Sequence, residues 1–295
     1  MYSIIIPTYN SSSYIHYALD SIEQQDVSLQ DLEVIIIDDN SLDQVQLAKV
    51  IKAYENKFKI ILQLNSTKTN GAMCRNQGLK LSTNNIICFL DADDYWSRNK
   101  LSAGKKILQQ GKKRVVYGAL ARGTRKQIEE NKYLKMPIKP KENDMSLAEY
   151  WWVHNGITQT SSLMFYKADF TEIIFNPNLE RHQDYDFCLQ LEKSGADFCF
   201  DYKSLTYWVI LDPNINAVKK GASLNFCINW LNSYNLFFSK KAIMAYIAKD
   251  MLYIAIKEKN IKSWFIFVFT QKYTNSINTL RVATFELIKK IASKI

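Results

Sequence analysis

The sequence is poor in chain breakers, with nine glycines and five prolines in 295 residues, which excludes a low-complexity or linker-dominated chain. Its five cysteines, Cys74, Cys88, Cys188, Cys199 and Cys227, are odd in number and form no CxxC pair. Neither a disulfide framework nor a zinc knuckle is expected, and a reducing compartment fits. Long apolar runs are absent too: the longest late one, Trp264–Phe269, has six residues, whereas a spanning helix needs about 20. The opening Met1-Tyr2-Ser3-Ile4-Ile5-Ile6-Pro7 has no basic segment before its short apolar run, so no signal peptide is expected and the cytoplasm is the expected location.

What is plentiful is apolar side chain, 47% of residues, which in a chain of this length suits one large packed domain or a domain with an appendage. Charge is unevenly placed. The chain carries +9 overall, but residues 213–295 hold thirteen Lys and Arg against three acids, a net of +10, which leaves the first 212 residues at −1.

Continuous apolar runs at Tyr2–Ile6, Glu33–Ile37, Lys59–Leu64 and Ile86–Leu90 read as strands covered on both faces. Their ends lie 31, 27 and 26 residues apart, about one βαβ unit each, and the gaps carry helical stripes, Ile15/Ala18/Leu19/Ile22 and Leu47/Val50/Ile51/Tyr54. The expected fold is α/β, with a mostly parallel sheet and helices on both faces. Ligands of such sheets lie beyond the carboxyl ends of the strands. Further on the pattern loosens, with a short strand Val115–Tyr117, a polar basic stretch to Asn143, a helix start at Tyr150-Trp151-Trp152, a strand Ser162–Tyr166 and a helix Gln183–Lys193. From about residue 222 helices rich in Phe, Tyr, Trp and Lys are expected as an appendage.

The run Asp91-Ala92-Asp93-Asp94 follows the fourth strand directly, and the period of two in extended chain puts Asp91 and Asp93 on one side. That spacing suits Mg²⁺ or Mn²⁺, which takes one or two carboxylates and fills its other positions with water and phosphate oxygens. The same acids could equally cap the helix that follows or shape a turn. The turn after the first strand contains Pro7 and no GxGxxG, which argues against a dinucleotide-binding dehydrogenase. No Gly-rich basic loop occupies residues 7–13, against a nucleotidyltransferase.

Taken in order, IIIPTYN (Ile4–Asn10), EVIIIDDNSLD (Glu33–Asp43), GAMCRNQGL (Gly71–Leu79) and FLDADD (Phe89–Asp94) resemble the inverting family 2 glycosyltransferases of GT-A fold. The resemblance implies that Pro7, Thr8, Tyr9, Asp38 and Asp39 bind the nucleoside of a nucleotide-sugar, most commonly a UDP-sugar. Asp91, Ala92 and Asp93 would then face the ribose and diphosphate. Asp93 and Asp91 would be the metal ligands, with Asp94 as alternative. A carboxylate can accept a base N–H or ribose hydroxyl, and a tyrosine ring can stack on a base. Arg75, one turn into a helix that starts at Gly71, would add a cation beside the diphosphate at an anion-favouring helix N-terminus. A solvated surface arginine is the alternative.

An inverting transfer needs a base for the acceptor hydroxyl. The family usually shows Glu-Asp at this point, and this chain has Gln183-Asp184, so Asp184 inherits the role by position and the preceding carboxylate is missing. Asp186 reads as structural, in a first helical turn where acids suit the dipole, and His182 as a second candidate base. Trp151, Trp152, His154 and Asn155 are candidates for an acceptor-sugar platform or for core. Processive relatives carry Gln-x-x-Arg-Trp, and none of the seven arginines here precedes a tryptophan, so single addition is expected. Where relatives often have Tyr-Arg this chain has Tyr207-Trp208, leaving Arg75, Lys219 or Lys220 for the phosphate contact.

The division expected is a GT-A catalytic domain at 1–212, with the donor half at 1–110 and the acceptor side and base at 111–212, and a basic helical region at 213–295. In that region Ile277, Leu280, Leu287, Ile288, Ile291 and Ile295 form one stripe, with Arg281, Lys289, Lys290 and Lys294 mostly off it. Such a helix suits an anionic inner-membrane surface near a lipid-linked glycan acceptor, docking on the catalytic domain, or a homodimer interface. No nucleic-acid-binding signature accompanies the charge. The function expected is sugar transfer in surface-polysaccharide assembly. The alternative is a catalytically weak nucleotide-sugar-binding scaffold, to which Gln183 lends slight support.

Overall fold

A computed structural model describes residues 1–211 and 222–292. Lys219, Lys220, Lys294 and Ile295 lie outside that range, and the side chains of Lys290 and Ile291 are not described. The described chain divides into two compact units. One holds Met1–Pro140 and the stretch from Thr158 through the last strand, and the other holds Lys141–Ile157 with the C-terminal helices.

The first unit runs β1 (Tyr2–Thr8), α1 (Ile15–Glu23), β2 (Leu32–Asp38), α2 (Gln44–Lys52), β3 (Lys59–Leu64), α3 (Gly71–Leu81), β4 (Ile86–Phe89), β5 (Tyr95–Trp96), α4 (Lys100–Leu108), β6 (Arg114–Gly123), α5 (Arg125–Glu129), β7 (Leu134–Met136), β8 (Met164–Tyr166), α6 (Gln183–Lys193) and β9 (Asp197–Val209). One sheet joins all nine strands in the order β3-β2-β1-β4-β8-β6-β9-β5, with β7 paired to β6. The isoleucine runs of β1 and β2 are buried throughout and pair in parallel, while β3, at the edge, is only half-buried. β4 lies on the other side of β1, also parallel. The connections therefore reverse direction at β1, the switch point where such sheets bind ligands. The stripe Ile15, Ala18, Leu19 and Ile22 packs α1 onto this sheet as its period requires. α3 crosses β1 so closely that a Cβ on Gly78 would sit 2.3 Å from Ile5 Cγ2.

Past β4 the sheet becomes mixed. β8 pairs antiparallel with β4 and β6, while β9 pairs parallel with β6 and antiparallel with β5. The long strand β9 escapes the sequence pattern because its pairing with β6 slips between Gly118 and Ala119, whose partners are Asp201 and Leu205. The extra residues destroy the alternation. The polar stretch to Asn143 likewise contains α5, fixed by a Thr124/Gln127 capping box, and β7.

The second unit consists of α7 (Leu224–Tyr234), α8 (Lys240–Tyr246), α9 (Leu252–Lys257), α10 (Ile261–Thr270), α11 (Ser276–Ala292) and the wide helical turns Glu149–Val153 and Ile247–Met251. Trp151 and Trp152 are both buried here, and Trp152 packs edge-on against Trp230 and Phe238. Both are core residues, the second of the two roles that the sequence allows them. None of the helices described is long and apolar enough to cross a membrane.

Candidate active site

A cavity of about 540 Å³ opens beyond the carboxyl ends of β1, β2 and β4. Pro7, Thr8 and Tyr9 line it from β1, Asp39 from β2, and Asp91, Ala92 and Asp93 from the turn after β4. Asp39 is fixed by Thr69, whose backbone N–H and hydroxyl both donate to its Oδ1 at 2.7 Å. Asp38, expected beside it, is turned inward. It accepts hydrogen bonds from Thr8, from the Ser41 amide and hydroxyl and from Gln44, and so shapes the β2–α2 loop away from the cavity. The ring of Tyr9 is covered by a cation, with Lys68 Nζ 3.1 Å from its centroid.

The acidic turn divides its labour. The Asp94 amide donates to the Asp91 carbonyl at 3.0 Å, and the Asp94 carboxylate is buried under donors: Gln159 Nε2 and Ser161 Oγ at 2.7 Å on one oxygen, the Val209 amide at 3.1 Å on the other. The sequence offers Asp94 as an alternative metal ligand. The structure instead commits it to bracing the turn, because three donors from distant segments already satisfy it. Asp91 and Asp93 are the pair that faces the cavity. Burial, reinforced by the Asp91 charge, pushes the Asp93 carboxyl up to about 7. Two carboxylates that repel each other over one cavity form an under-compensated anionic site, the donor set that a hard divalent cation relieves. Among the described residues no group of three or more His, Cys, Asp or Glu side chains forms a metal cage, so a cation held here draws its remaining ligands from water and phosphate.

α3 opens on the same cavity. Asn70 caps it by accepting from the Met73 amide at 3.1 Å and donates to the Pro177 carbonyl at 2.8 Å. Arg75, nearly buried, pairs with Asp91 (Nη2 to Oδ1, 2.5 Å), and its Nε is buried without a partner. The guanidinium folds back over the helix start, so that a Cβ on Gly71 would meet Arg75 Nη1 at 3.0 Å. The alternative of a solvated surface arginine is therefore set aside.

α6 starts at Gln183 after His182, whose backbone is left-handed with φ 61. This kink brings Glu180 to Asp184 to the cavity wall. The Tyr185 amide donates to Asp184 Oδ1 at 3.0 Å, and burial raises the Asp184 pKa, partly offset by that bond and by Arg75. His182 is driven the other way. Burial and then the neighbouring Arg181 lower its imidazole to about 4, which leaves it uncharged and weakly basic at neutral pH. Asp186 is buried and accepts from Gln190 at 2.8 Å, the structural role expected of it. Gln183 uses its amide to donate to the Leu179 carbonyl at 2.7 Å, a bond the usual glutamate could not make.

Several further residues complete the wall, of which Trp208 alone stands out in the sequence. Tyr14 stands near Asp93, and Lys68, Gln159, Thr160 and Trp208 join the same cavity. Trp208, where relatives often have Arg, has Arg122 4.8 Å from its ring centroid, as their opposed register on β9 and β6 requires. Only the tertiary pairing could reveal it.

Residues 3–171 match the family model described as Glycosyl transferase family 2. The chain is 34% identical over 254 residues to the amylovoran biosynthesis glycosyltransferase AmsB of Erwinia amylovora, covering 84% of this chain and 82% of AmsB. It is 30% identical over 116 residues to the UDP-Glc:alpha-D-GlcNAc-diphosphoundecaprenol beta-1,3-glucosyltransferase WfgD of Escherichia coli, covering 39% of this chain and 44% of WfgD. In three dimensions it is similar to the 1-349 fragment of S. aureus TarS solved with UDP-GlcNAc, with a TM-score of 0.66 and 18% identity across 92% of this chain and 76% of that one. The shared architecture is the GT-A fold.

Proposed function

Because the chain belongs to glycosyl transferase family 2, we propose that it moves a sugar from a UDP-sugar to a hydroxyl of a bacterial surface polysaccharide or its lipid-linked precursor. The transfer inverts the anomeric carbon and takes place at the inner face of the cell membrane. One observation carries the reading: Asp39, the Asp91–Asp93 turn, Arg75 at the start of α3 and Asp184 all line a single cavity. The relatives support the substrate classes, since WfgD is named for UDP-Glc and a diphosphoundecaprenol acceptor, AmsB for amylovoran biosynthesis, and TarS was solved with UDP-GlcNAc.

In this reading residues 1–110 grip the donor. Thr8, Tyr9 and Asp39 receive the nucleoside, with the Asp39 carboxylate accepting a base N–H or a ribose hydroxyl. Arg75 and the free amides at the start of α3 lie against the diphosphate. Asp91 and Asp93 would hold Mn²⁺ or Mg²⁺, which when bound neutralises charge on the departing diphosphate. The acceptor side and the base come from residues 111–212, apart from the segment 141–157. Asp184 takes the proton of the acceptor hydroxyl as that oxygen bonds to the anomeric carbon from the face opposite the nucleotide. The bond from the anomeric carbon to the diphosphate oxygen breaks, and its electron pair leaves with UDP. A raised pKa makes Asp184 the better proton acceptor near neutral pH.

The test is slow hydrolysis of UDP-, GDP- and dTDP-sugars with Mn²⁺ or Mg²⁺, with and without chelator. Release of UDP from one UDP-sugar, abolished by chelator, is expected. Tight UDP binding with no turnover of any donor, with or without acceptor glycans, would make the protein a scaffold instead.

A further inference from the structure

Two helices of the second unit are packed with their apolar faces outward. α11 is seated by Thr279 and Ala283, both buried, and by Glu286, which pairs with Lys249 at 3.7 Å. Three of its larger apolar residues point the other way: Ile277, Phe285 and Ile288 are each more than half exposed. α10 repeats the arrangement, burying Trp264 and Val268 and leaving Ile266 and Phe269 more than half exposed. Ser276 Oγ donates to the Val268 carbonyl at 2.7 Å, which fixes the start of α11 to α10. A helix in water normally turns its apolar stripe to the core, and exposed apolar side chains gathered on two joined helices mark a surface that meets something apolar.

The charges on these faces are cationic. On α10, Ile261, Phe265 and Phe269 recur at four-residue steps, and Lys262 and Ile266 form the adjoining row. On α11, Arg281 lies on the same side as Ile277, Phe285 and Ile288, beside Lys289. The acids of this region are engaged elsewhere, Glu286 with Lys249 and Lys289 and Glu258 with the Leu224 amide.

We propose that the outward faces of α10 and α11 dock on an anionic lipid bilayer, with Phe265, Ile266, Phe269, Phe285 and Ile288 entering the interface and Lys262, Arg281 and Lys289 meeting the lipid phosphates. Apolar side chains ringed by Lys and Arg on helices too short or too polar to span are the pattern of an interfacial helix. A second copy fits less well, because it would set these cations against their own counterparts. The proposal rests on the transferase reading only for the acceptor's address.

The test is co-sedimentation of the full chain with vesicles of phosphatidylglycerol and phosphatidylcholine, and with phosphatidylcholine alone, in the absence of donor. Binding to the mixed vesicles is expected, weakening at high salt and absent with neutral lipid. Phe265→Asp with Phe269→Asp should abolish it while leaving circular dichroism and donor hydrolysis unchanged. Lys262→Gln, Arg281→Gln and Lys289→Gln together should weaken it on the order of a hundredfold. Equal binding to neutral vesicles, or no binding to either, overturns the proposal. So does a wild-type dimer in solution that the Phe→Asp pair converts to monomer. Vesicle binding without donor turnover would sink the transferase reading and leave this one standing, and turnover without vesicle binding would do the reverse.

Discussion

Asp93→Asn should make the metal-free protein more stable and inactive at once. The wild-type carboxyl is held at about 7 against an ordinary 3.8, so the folded chain binds this proton more tightly than the unfolded one does. Stability then falls as pH rises from about 4 toward 7 and levels off above it. At about 1.4 kcal/mol per pKa unit the ionised Asp93 costs at most about 4 kcal/mol, and solvent reaching a partly exposed side chain reduces this to about 2 kcal/mol. Asparagine has no proton to lose. With a chelator at pH 8 its melting temperature should exceed the wild type's by about 4–8 °C, and the gap should shrink as the pH is lowered to 5.5. Mn²⁺ with UDP should raise the melting temperature of the wild type only. An Asn variant no more stable than wild type at pH 8, or a gap that ignores pH, would refute the reasoning.

Asp94→Asn should behave in the opposite way. It sets an amide N–H₂ against the buried donors Gln159, Ser161 and Val209 and leaves one of them unsatisfied, at a cost of about 1–3 kcal/mol, read as a fall in the urea midpoint. Gly71→Ala should leave stability within about 1 kcal/mol but push Arg75 off Asp91, raising the KM for the donor by about tenfold through a misplaced charge. His182→Asn keeps a residue tolerant of the left-handed backbone. Because the imidazole is already uncharged above about 4, the pH–rate profile from 5.5 to 8.5 should be unchanged, and a shifted acid limb would restore His182 as a candidate base.

The donor side was legible because the chemistry there is local. Isoleucine runs end at Thr8, Asp38 and Phe89, and the residues just after them face the cavity. The helix expected at Gln183–Lys193 has those bounds, which place Asp184 at a helix start. What could not be read was direction. Asp38 and Asp39 are adjacent and chemically alike, yet turn geometry buries one beneath Ser41 and Gln44 and leaves the other on the cavity. Asp94 stands in the sequence as an alternative metal ligand beside Asp93, and only Gln159, Ser161 and Val209, from later segments, claim it for the turn. β9 was hidden by its slipped pairing. The C-terminal stripe was visible, but sequence alone could not reveal that Thr279 and Ala283, rather than the isoleucines, would face the core.

The central claim is that Asp184 performs the proton chemistry while the rest of the cavity grips the donor, and Asp184→Asn separates the two. Sugar transfer to acceptor should fall by about a thousandfold, with the dissociation constant for UDP in Mn²⁺ held within about threefold of wild type. Transfer surviving within tenfold, or an equal loss of UDP affinity, would contradict the account.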